Sequence, residues 1–458
     1  MRTTHFFNFK RRTSGFINIF MIVLEGYTLF KAVTSPDQQL FVLPAIYCAL
    51  YLFFVCLMRL QLNWCSILIL SISFIRFSIL PILYNTSLTQ TLTYLKYDFS
   101  NTEAVVIIMS IEALAIFCGI YLGTKHISRY KIGYNRQSKI RTCGVGTTLL
   151  LVIGFALFMR NPRLIRGFNQ VADRDAAGAD EAVFQVAIII ATNYLVAKVE
   201  STKMSHSVKE FGIILIFSGL IYMSSNLATS TSRNCMMINS FVLILYLSRN
   251  YHDSLKKIVP AIATLVLVYF CYSTYNRFAS ARLSNNVIES VVKSMFTYQS
   301  LNSYFAGPTN IDIGVSFIND CWRSLGPGRF IVDFFANIPI LNKLFLSDDS
   351  VKLYNYYLSY GIAYDQIIPL VVQSAAYSYY ILTPVLPFLV SYSSIIFFGK
   401  AQKSEDQLAL YCNAYTAIVF AMGTILCVNS MSMLLSMRIV PVAFIGWINR
   451  KFTIGVRR

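Results

Sequence analysis

The chain has 458 residues, 56% of them hydrophobic and only 13% charged. Soluble domains carry about 25% charged residues, so composition excludes an ordinary soluble enzyme or binding module. The net charge of +18 would suggest nucleic acid in a soluble protein; in a chain this apolar, membrane topology accounts for much of it, and no nucleic-acid partner is expected.

Apolar blocks of about 18 residues or more recur along the chain without β-alternation, which predicts an all-α polytopic integral membrane protein rather than a barrel. About twelve transmembrane helices are expected, at 16–34, 40–58, 64–84, 104–123, 145–159, 182–197, 211–228, 234–248, 258–275, 377–398, 409–427 and 430–448. The first run is long and lacks a small-residue cleavage site, so it reads as a span and not as a signal peptide. No internal repeat is apparent. The ten cysteines are scattered, mostly inside apolar runs, and read as small core residues rather than as disulfides or metal ligands.

Cations collect on alternate loops. Lys10, Arg11 and Arg12 precede the first span; Lys125, Arg129, Lys131, Arg136, Lys139 and Arg141 crowd one short loop; Lys256, Lys257, Lys400, Lys403, Arg450 and Lys451 fall on the same side. The positive-inside rule then puts both termini in the cytoplasm. On that topology His5, His126, His206 and His252 all face inward, which leaves no histidine for acid–base or metal chemistry outside. Four arginines, Arg160, Arg163, Arg166 and Arg174, run against the bias in one outer loop. They form either an anion site or a solvated stretch neutralised by Asp173, Asp175, Asp180 and Glu181. Asp173-Arg-Asp175 spells the acidic triplet of metal-dependent glycosyltransferases that use nucleotide sugars, but on an outer loop it reads as coincidence. There is no P-loop and no HExxH, and neither a metal nor a cofactor is expected.

Glu25, Arg76, Glu112 and Arg438 lie inside expected spans. Intramembrane charge costs roughly 2.5–3.5 kcal/mol on insertion scales. Such residues are either functional or structurally paired, Arg76 with Glu112 for example. The turn Ser225-Asn-Leu-Ala-Thr-Ser-Thr-Ser-Arg-Asn234 joins two apolar runs. Residues 211–248 provide about 57 Å of helix against about 60 Å for two crossings, so Arg233 belongs at or just below the outer interface. It either binds an anion there or snorkels to headgroups.

The chain divides into a first membrane region at 1–275, a large outer loop at 276–376 and a last membrane region at 377–458. The loop is rich in aromatics (Tyr304, Phe305, Trp322, Tyr354, Tyr357) and turn signals (Gly307-Pro308, Gly326-Pro327-Gly328), which predicts an ordered cap with short helices. Its aromatic rings suit either sugar stacking or a membrane-interface belt. The run from Tyr364 to Phe398 is too long for one span and too short for two. A short re-entrant helix before a full span fits, with Asp365 and Gln373 edging an outward-facing pocket and Pro384 and Pro387 kinking the span.

Three phrases resemble the Wzy-type polymerases of bacterial O-antigen and capsule repeat units. They are the turn Thr231-Ser232-Arg233 after the seventh span, Tyr304-Phe-Ala-Gly-Pro-Thr-Asn310 in the late outer loop, and the run from Asp365 to Gln373 before a proline-bearing span. The resemblance implies a multi-pass protein of the bacterial inner membrane, active on its periplasmic face in lipopolysaccharide or capsule biosynthesis. Donor and acceptor would be glycans on undecaprenyl pyrophosphate, with a chain-length regulator as a further partner. The acceptor hydroxyl would displace the pyrophosphate from the anomeric carbon. On that reading Arg233 and Asp365 are the catalytic candidates, as charge stabiliser and base. Arg163, Arg166, Arg277, Arg282, Tyr304 and Gln373 would bind pyrophosphate or glycan. The alternatives are an O-antigen ligase, which would need a histidine in the large loop, and a lipid-linked oligosaccharide flippase, which would not need the loop.

Overall fold

The structure, a computed structural model, describes residues 11–34, 36–85, 99–128, 144–161, 178–225, 233–251, 260, 264, 298–335, 338, 341, 348–359 and 367–451. Among these residues every regular element is helical. Eight helices are long and apolar enough to cross a membrane: Ile17–Thr34, Gln39–Leu57, Trp64–Asn85, Thr102–Ser128, Asp180–Ser201, His206–Ser225, Val385–Lys403 and Val428–Asn449. Their outer faces carry large apolar side chains, with Val33 at 81% and Phe30 at 64% exposed. Water penalises such faces and hydrocarbon does not. These are the features of an α-helical membrane protein.

Other expected spans come out differently. Gly146–Arg160 and Gln407–Ala421 are apolar but shorter. Arg233–Asn250 is helical, yet Asn234, Asn239, Arg249 and Asn250 dilute its apolar run and it is not among the eight. The stretch 258–275 lies outside the described residues apart from Pro260 and Thr264. The expected span 377–398 starts later, at Val385. A separate helix, Leu370–Ser378, closes on two consecutive left-handed residues, Tyr379 (φ 50) and Tyr380 (φ 72). Pro384 and Pro387 therefore do not kink a span. They sit just before and within the first turn of Val385–Lys403, where a missing N–H leaves no helix bond unmade. The expected span 409–427 stops at Ala421 and passes through a single tight turn, Gly423–Ile425.

The chain forms two compact units. The first comprises Met1–Lys131, Ser273–Ile396 and Phe420–Met433. Its helix Trp64–Phe74 starts at a capping box, in which Asn63 Oδ1 accepts from Ser66 N (3.0 Å) and Ser66 Oγ accepts from Asn63 N (2.6 Å). Tyr47 centres an aromatic core, stacked on Phe77 at 6.0 Å and tilted against Phe117 at 5.6 Å, with its hydroxyl donating to Leu70 O at 2.7 Å. Thr102–Ser128 approaches Val385–Lys403 through Gly119 and Gly123. A Cβ at Gly119 would meet Phe388 O at 2.7 Å and one at Gly123 would meet Ile395 Cβ at 2.9 Å, so this small-xxx-small spacing admits no larger residue.

The second unit comprises Ile132–Tyr272, Phe397–Val419 and Leu434–Arg458. Its helices Val145–Arg160, Gly178–Ser201, His206–Ser225 and Arg233–Asn250 pack each on the next in chain order. Glu200 accepts from the hydroxyls of Tyr246 (2.8 Å) and Tyr251 (2.9 Å), and Asn449 Nδ2 donates to Thr147 Oγ1 (2.7 Å).

Candidate functional site

Within the first unit the phrase Tyr304–Asn310 forms the joint between the helices Tyr298–Phe305 and Pro308–Cys321. Tyr298–Phe305 ends with Ala306 in the left-handed region (φ 48) and Gly307 N donating to Asn302 O at 3.0 Å. This is a Schellman-type end with alanine where glycine is usual. Pro308 then opens the next helix. Asn302 binds the joint from both sides: Oδ1 accepts from Thr309 N (3.2 Å) and Nδ2 donates to Asn310 Oδ1 (2.8 Å).

A buried arginine secures the joint. Arg76, fully buried, donates from Nη1 to Glu112 Oε1 at 2.7 Å, and from Nε and Nη2 to Ala306 O at 3.3 and 3.1 Å. Arg76 lies in the π-helical segment Ile75–Ile79 of the third apolar helix. The extra residue in that turn is a departure that α-helices tolerate mostly at functional or strained places. The strained Ala306 backbone is thus held by the guanidinium that Glu112 neutralises. Ala306→Val should cost about 2–4 kcal/mol, the left-handed penalty plus overpacking, while Ala306→Gly should stay near wild type. Thermal unfolding of purified protein in detergent measures both, and a Val variant as stable as the wild type would refute the strained joint.

The Tyr304–Asn310 phrase meets the run that precedes the helix Leu370–Ser378 here. Asn310 Nδ2 donates to Ile367 O at 3.3 Å, and Tyr354 OH donates to Asn310 O at 3.0 Å. Further on, Asp333 gathers a second cluster. Its Oδ1 accepts from Ser350 N at 2.7 Å, and its Oδ2 accepts from Ser350 Oγ, Tyr377 OH and, at 3.3 Å, Gln373 Nε2. Gln373 also donates to Ser350 Oγ (2.8 Å) and Asn429 Oδ1 (3.1 Å), and its Oε1 accepts from Val428 N (2.7 Å). Gln373 is fully buried. It does not edge an open pocket, as the sequence suggested, but ties the short helix Leu370–Ser378 to its neighbours.

Asp333 has no exposed surface, which denies it contact with an incoming hydroxyl. Burial pushes its carboxyl above the ordinary 3.8, and the Ser350 and Tyr377 hydrogen bonds pull the other way without cancelling it. A carboxyl raised in the folded state binds its proton more tightly there than when unfolded. Stability from this group is therefore present at low pH and lost as pH rises from the unfolded value through the folded one. The melting-temperature difference between wild type and Asp333→Asn should shift against the wild type over that window. A pH-independent difference would refute the assignment.

On the same helix the surface is concave. Gly326 (φ +120) turns the chain, its N–H donates to Ala376 O at 3.0 Å, and a Cβ there would meet Tyr379 OH at 2.8 Å. The concavity, open and ≈ 320 Å³ in volume, is lined by Arg323, Ser324, Gly326, Gly328 and Arg329 among others, with no acidic residue among the described ones. Arg329 is held by carbonyls: Nε and Nη2 donate to Ser324 O (3.2 and 2.8 Å), and Nη1 donates to Asp348 O. Arg323 is exposed and lies over the Trp322 ring at 5.5 Å. The first turn of Pro327–Phe335 opens there too. Two guanidinium groups and a helix N-terminus make this a place of positive potential beside an exposed indole.

Arg323, Arg329 and Asp333 were not singled out from the sequence. Arg323 and Arg329 flank Gly326-Pro327-Gly328, and arginines on either side of such a turn were the available signal. Of the residues that were singled out, Arg163, Arg166, Arg277, Arg282 and Asp365 lie outside the described residues. Arg233 opens the helix Arg233–Asn250. Tyr304 is half-buried in the last turn of Tyr298–Phe305. Among the described residues no group of three His, Cys, Asp or Glu side chains is placed to hold a metal ion. The described histidines are packed on tyrosines, His126 on Tyr392 and His206 on Tyr251.

No protein-family model, curated protein or solved structure matches the chain. Its functional reading therefore rests on its own residues and their geometry.

Proposed function

We propose that this protein is a membrane glycosyltransferase that polymerises oligosaccharide repeat units carried on undecaprenyl pyrophosphate. The observation that carries the reading is the cation-lined concavity at Arg323 and Arg329, on the body that the Tyr304–Asn310 phrase builds with the run before the helix Leu370–Ser378. In the proposed reaction the acceptor sugar hydroxyl attacks the anomeric carbon of the donor. The bond from that carbon to the pyrophosphate oxygen breaks, and the hydroxyl proton passes to a base, for which Asp365 is the candidate. The leaving pyrophosphate gains negative charge, and fixed guanidinium groups stabilise it without any proton transfer of their own. Arg323 supplies this at the concavity, and Arg233, Arg163, Arg166, Arg277 and Arg282 are candidates for the same task. An exposed indole at the rim suits a sugar face.

The proposal includes about twelve crossings, both termini in the cytoplasm and the concavity on the periplasmic face of a bacterial inner membrane. A ligase reading is less well served, because residues 273–396 contain no histidine. The test is a polymerisation assay of purified protein on lipid-linked repeat units, read as a ladder of products. Arg233→Ala should abolish the ladder, and a full ladder from that variant would remove Arg233 from the reaction. If wild type turned over no lipid-linked glycan, and a deletion strain lost surface sugar attachment altogether instead of retaining single repeats, the polymerase reading would fail.

A further inference from the structure

The helix Pro327–Phe335 turns its apolar side outward. Phe330, Ile331 and Phe334, at i, i+1 and i+4, share one face, and all three are exposed, Ile331 to 51%. The only fully buried residue of the helix is an acid, Asp333, which lies on the other side and accepts from Ser350 and Tyr377. A helix packed on a protein in water is arranged the opposite way, with its aromatics inside and its acids outside. The arrangement here suits a helix whose outer surroundings are apolar and whose polar side is held by protein.

The anchoring of the helix says what those surroundings are. Just before it, Gly326 N donates to Ala376 O at 3.0 Å, and Leu325 O accepts from Tyr379 OH at 3.1 Å. Phe330 meets Tyr377 edge-on, with ring centroids 5.5 Å apart. Ala376, Tyr377 and Tyr379 closely precede the apolar span Val385–Lys403. At the other end of the helix, Phe334 O accepts from Ser432 Oγ, in the first turns of the span Val428–Asn449. All these contacts lie within the first unit. Exposed apolar side chains lead up to the helix along both spans: Leu389 and Val385, then Ile381 and Leu382 in the preceding turn, and Met433. The helix is thereby fixed at the level where two spans begin, the boundary between hydrocarbon and headgroups.

We propose that the helix Pro327–Phe335 lies in the membrane interface with Phe330, Ile331 and Phe334 among the lipid chains, so that the concavity at Arg323 and Arg329 opens within the headgroup layer and takes a lipid-borne phosphate. The concavity shares Gly328, Arg329 and Val332 with this helix, so the depth of the one sets the depth of the other. Trp322 and Arg323 at its edge are residue types that favour the headgroup level, an amphipathic indole and a cation on an apolar stem. A phosphate carried on a lipid reaches such a place by moving within the bilayer, whereas a soluble phosphate meets it only from the water side. The inference concerns the phase from which the concavity is reached, and it stands whether or not the reaction there is polymerisation.

The test uses the full chain in phospholipid vesicles and reads tryptophan emission against quenchers of known depth. Ile331→Trp adds an indole on the exposed apolar face. Lys352→Trp, at an exposed charged position of the helix Ser350–Ser359, adds a water-facing control. The emission each adds is the difference from wild type. Lipid brominated along its chains should remove most of the emission added at position 331 and little of that added at 352, and aqueous iodide should do the reverse. Phe334→Trp repeats the measurement on the same face if Ile331→Trp does not fold. The emission missing from Trp322→Phe is that of Trp322, and it should be quenched by a nitroxide carried on lipid headgroups. Iodide reaching position 331 as readily as 352 would overturn the proposal and put the helix in water. Shielding of position 331 from both quenchers would overturn it in favour of a protein partner, such as a second copy of the chain. Trp322 emission open to iodide and untouched by the headgroup nitroxide would overturn the lipid source and leave the concavity to a soluble anion.

Discussion

Arg76→Met should destabilise the protein by about 3–5 kcal/mol, the cost of leaving one member of a buried ion pair unneutralised. Two groups lose their partner at once: Glu112 Oε1, and the Ala306 carbonyl that two of the guanidinium nitrogens share. The other carboxylate oxygen, Glu112 Oε2, already has no hydrogen bond, so nothing in reserve takes up the charge. Arg76→Lys should recover only part of the loss, because an ammonium cannot reach the carboxylate and the carbonyl with the same fork. The double variant Arg76→Met, Glu112→Leu should be more stable than Arg76→Met alone, because it removes the orphaned charge as well. Denaturant or thermal unfolding in detergent measures all three. If the single variant melted with the wild type, the pair would be an ornament of the fold and the joint at Ala306 would be held by something else.

If the proposed function holds, Arg323→Ala should cut polymerisation of lipid-linked repeat units by about 10²-fold, the usual effect of removing one charge-stabilising donor from a reacting site. Its melting temperature should not move, since Arg323 is exposed and its noted contact is the face of Trp322. Arg329→Ala is the contrasting case. Its guanidinium fastens Ser324 O and Asp348 O, so the loop should loosen and stability should fall together with activity. Arg323→Lys should restore part of the rate, because charge remains but the planar fork is lost. Full activity in Arg323→Ala with an intact product ladder would rule out the concavity as the place where pyrophosphate charge is met. It would leave Arg233 as the remaining candidate among the described residues.

Much of the architecture was legible from residue type because hydrocarbon is an undemanding judge of sequence. An apolar run long enough to cross must be helical to satisfy its own backbone. Thus Trp64–Asn85 and Thr102–Ser128 follow the expected 64–84 and 104–123 closely. Where expectation and structure part, the reason is local. Tyr379 and Tyr380 close a helix in left-handed conformations that no propensity assigns to tyrosine, and they are held there by Tyr380 N donating to Ala375 O at 3.0 Å. Pro384 was visible, but whether a proline kinks a helix or starts one depends on what precedes it.

The candidate site was less legible. Aromatics and glycine–proline turns predicted short helices in the segment 276–376, and its described residues are largely helical, but sequence cannot show which polar residues are spent on each other. Gln373 looked like a ligand and is consumed by Asp333, Ser350, Asn429 and Val428. Arg323 looked like nothing in particular and faces an open concavity.

Sequence alone was enough for the solvent this protein lives in, for its helical class and for the rarity of its intramembrane charges, because each depends on composition over one turn or one span. Only the tertiary structure decided that Arg76 is paired with Glu112 while Arg438 meets no described carboxylate. Two arginines in π-helical turns of apolar helices are alike in sequence. Charge neutralisation is a property of what lies within about 4 Å across helices, and residues far apart in the chain supply it.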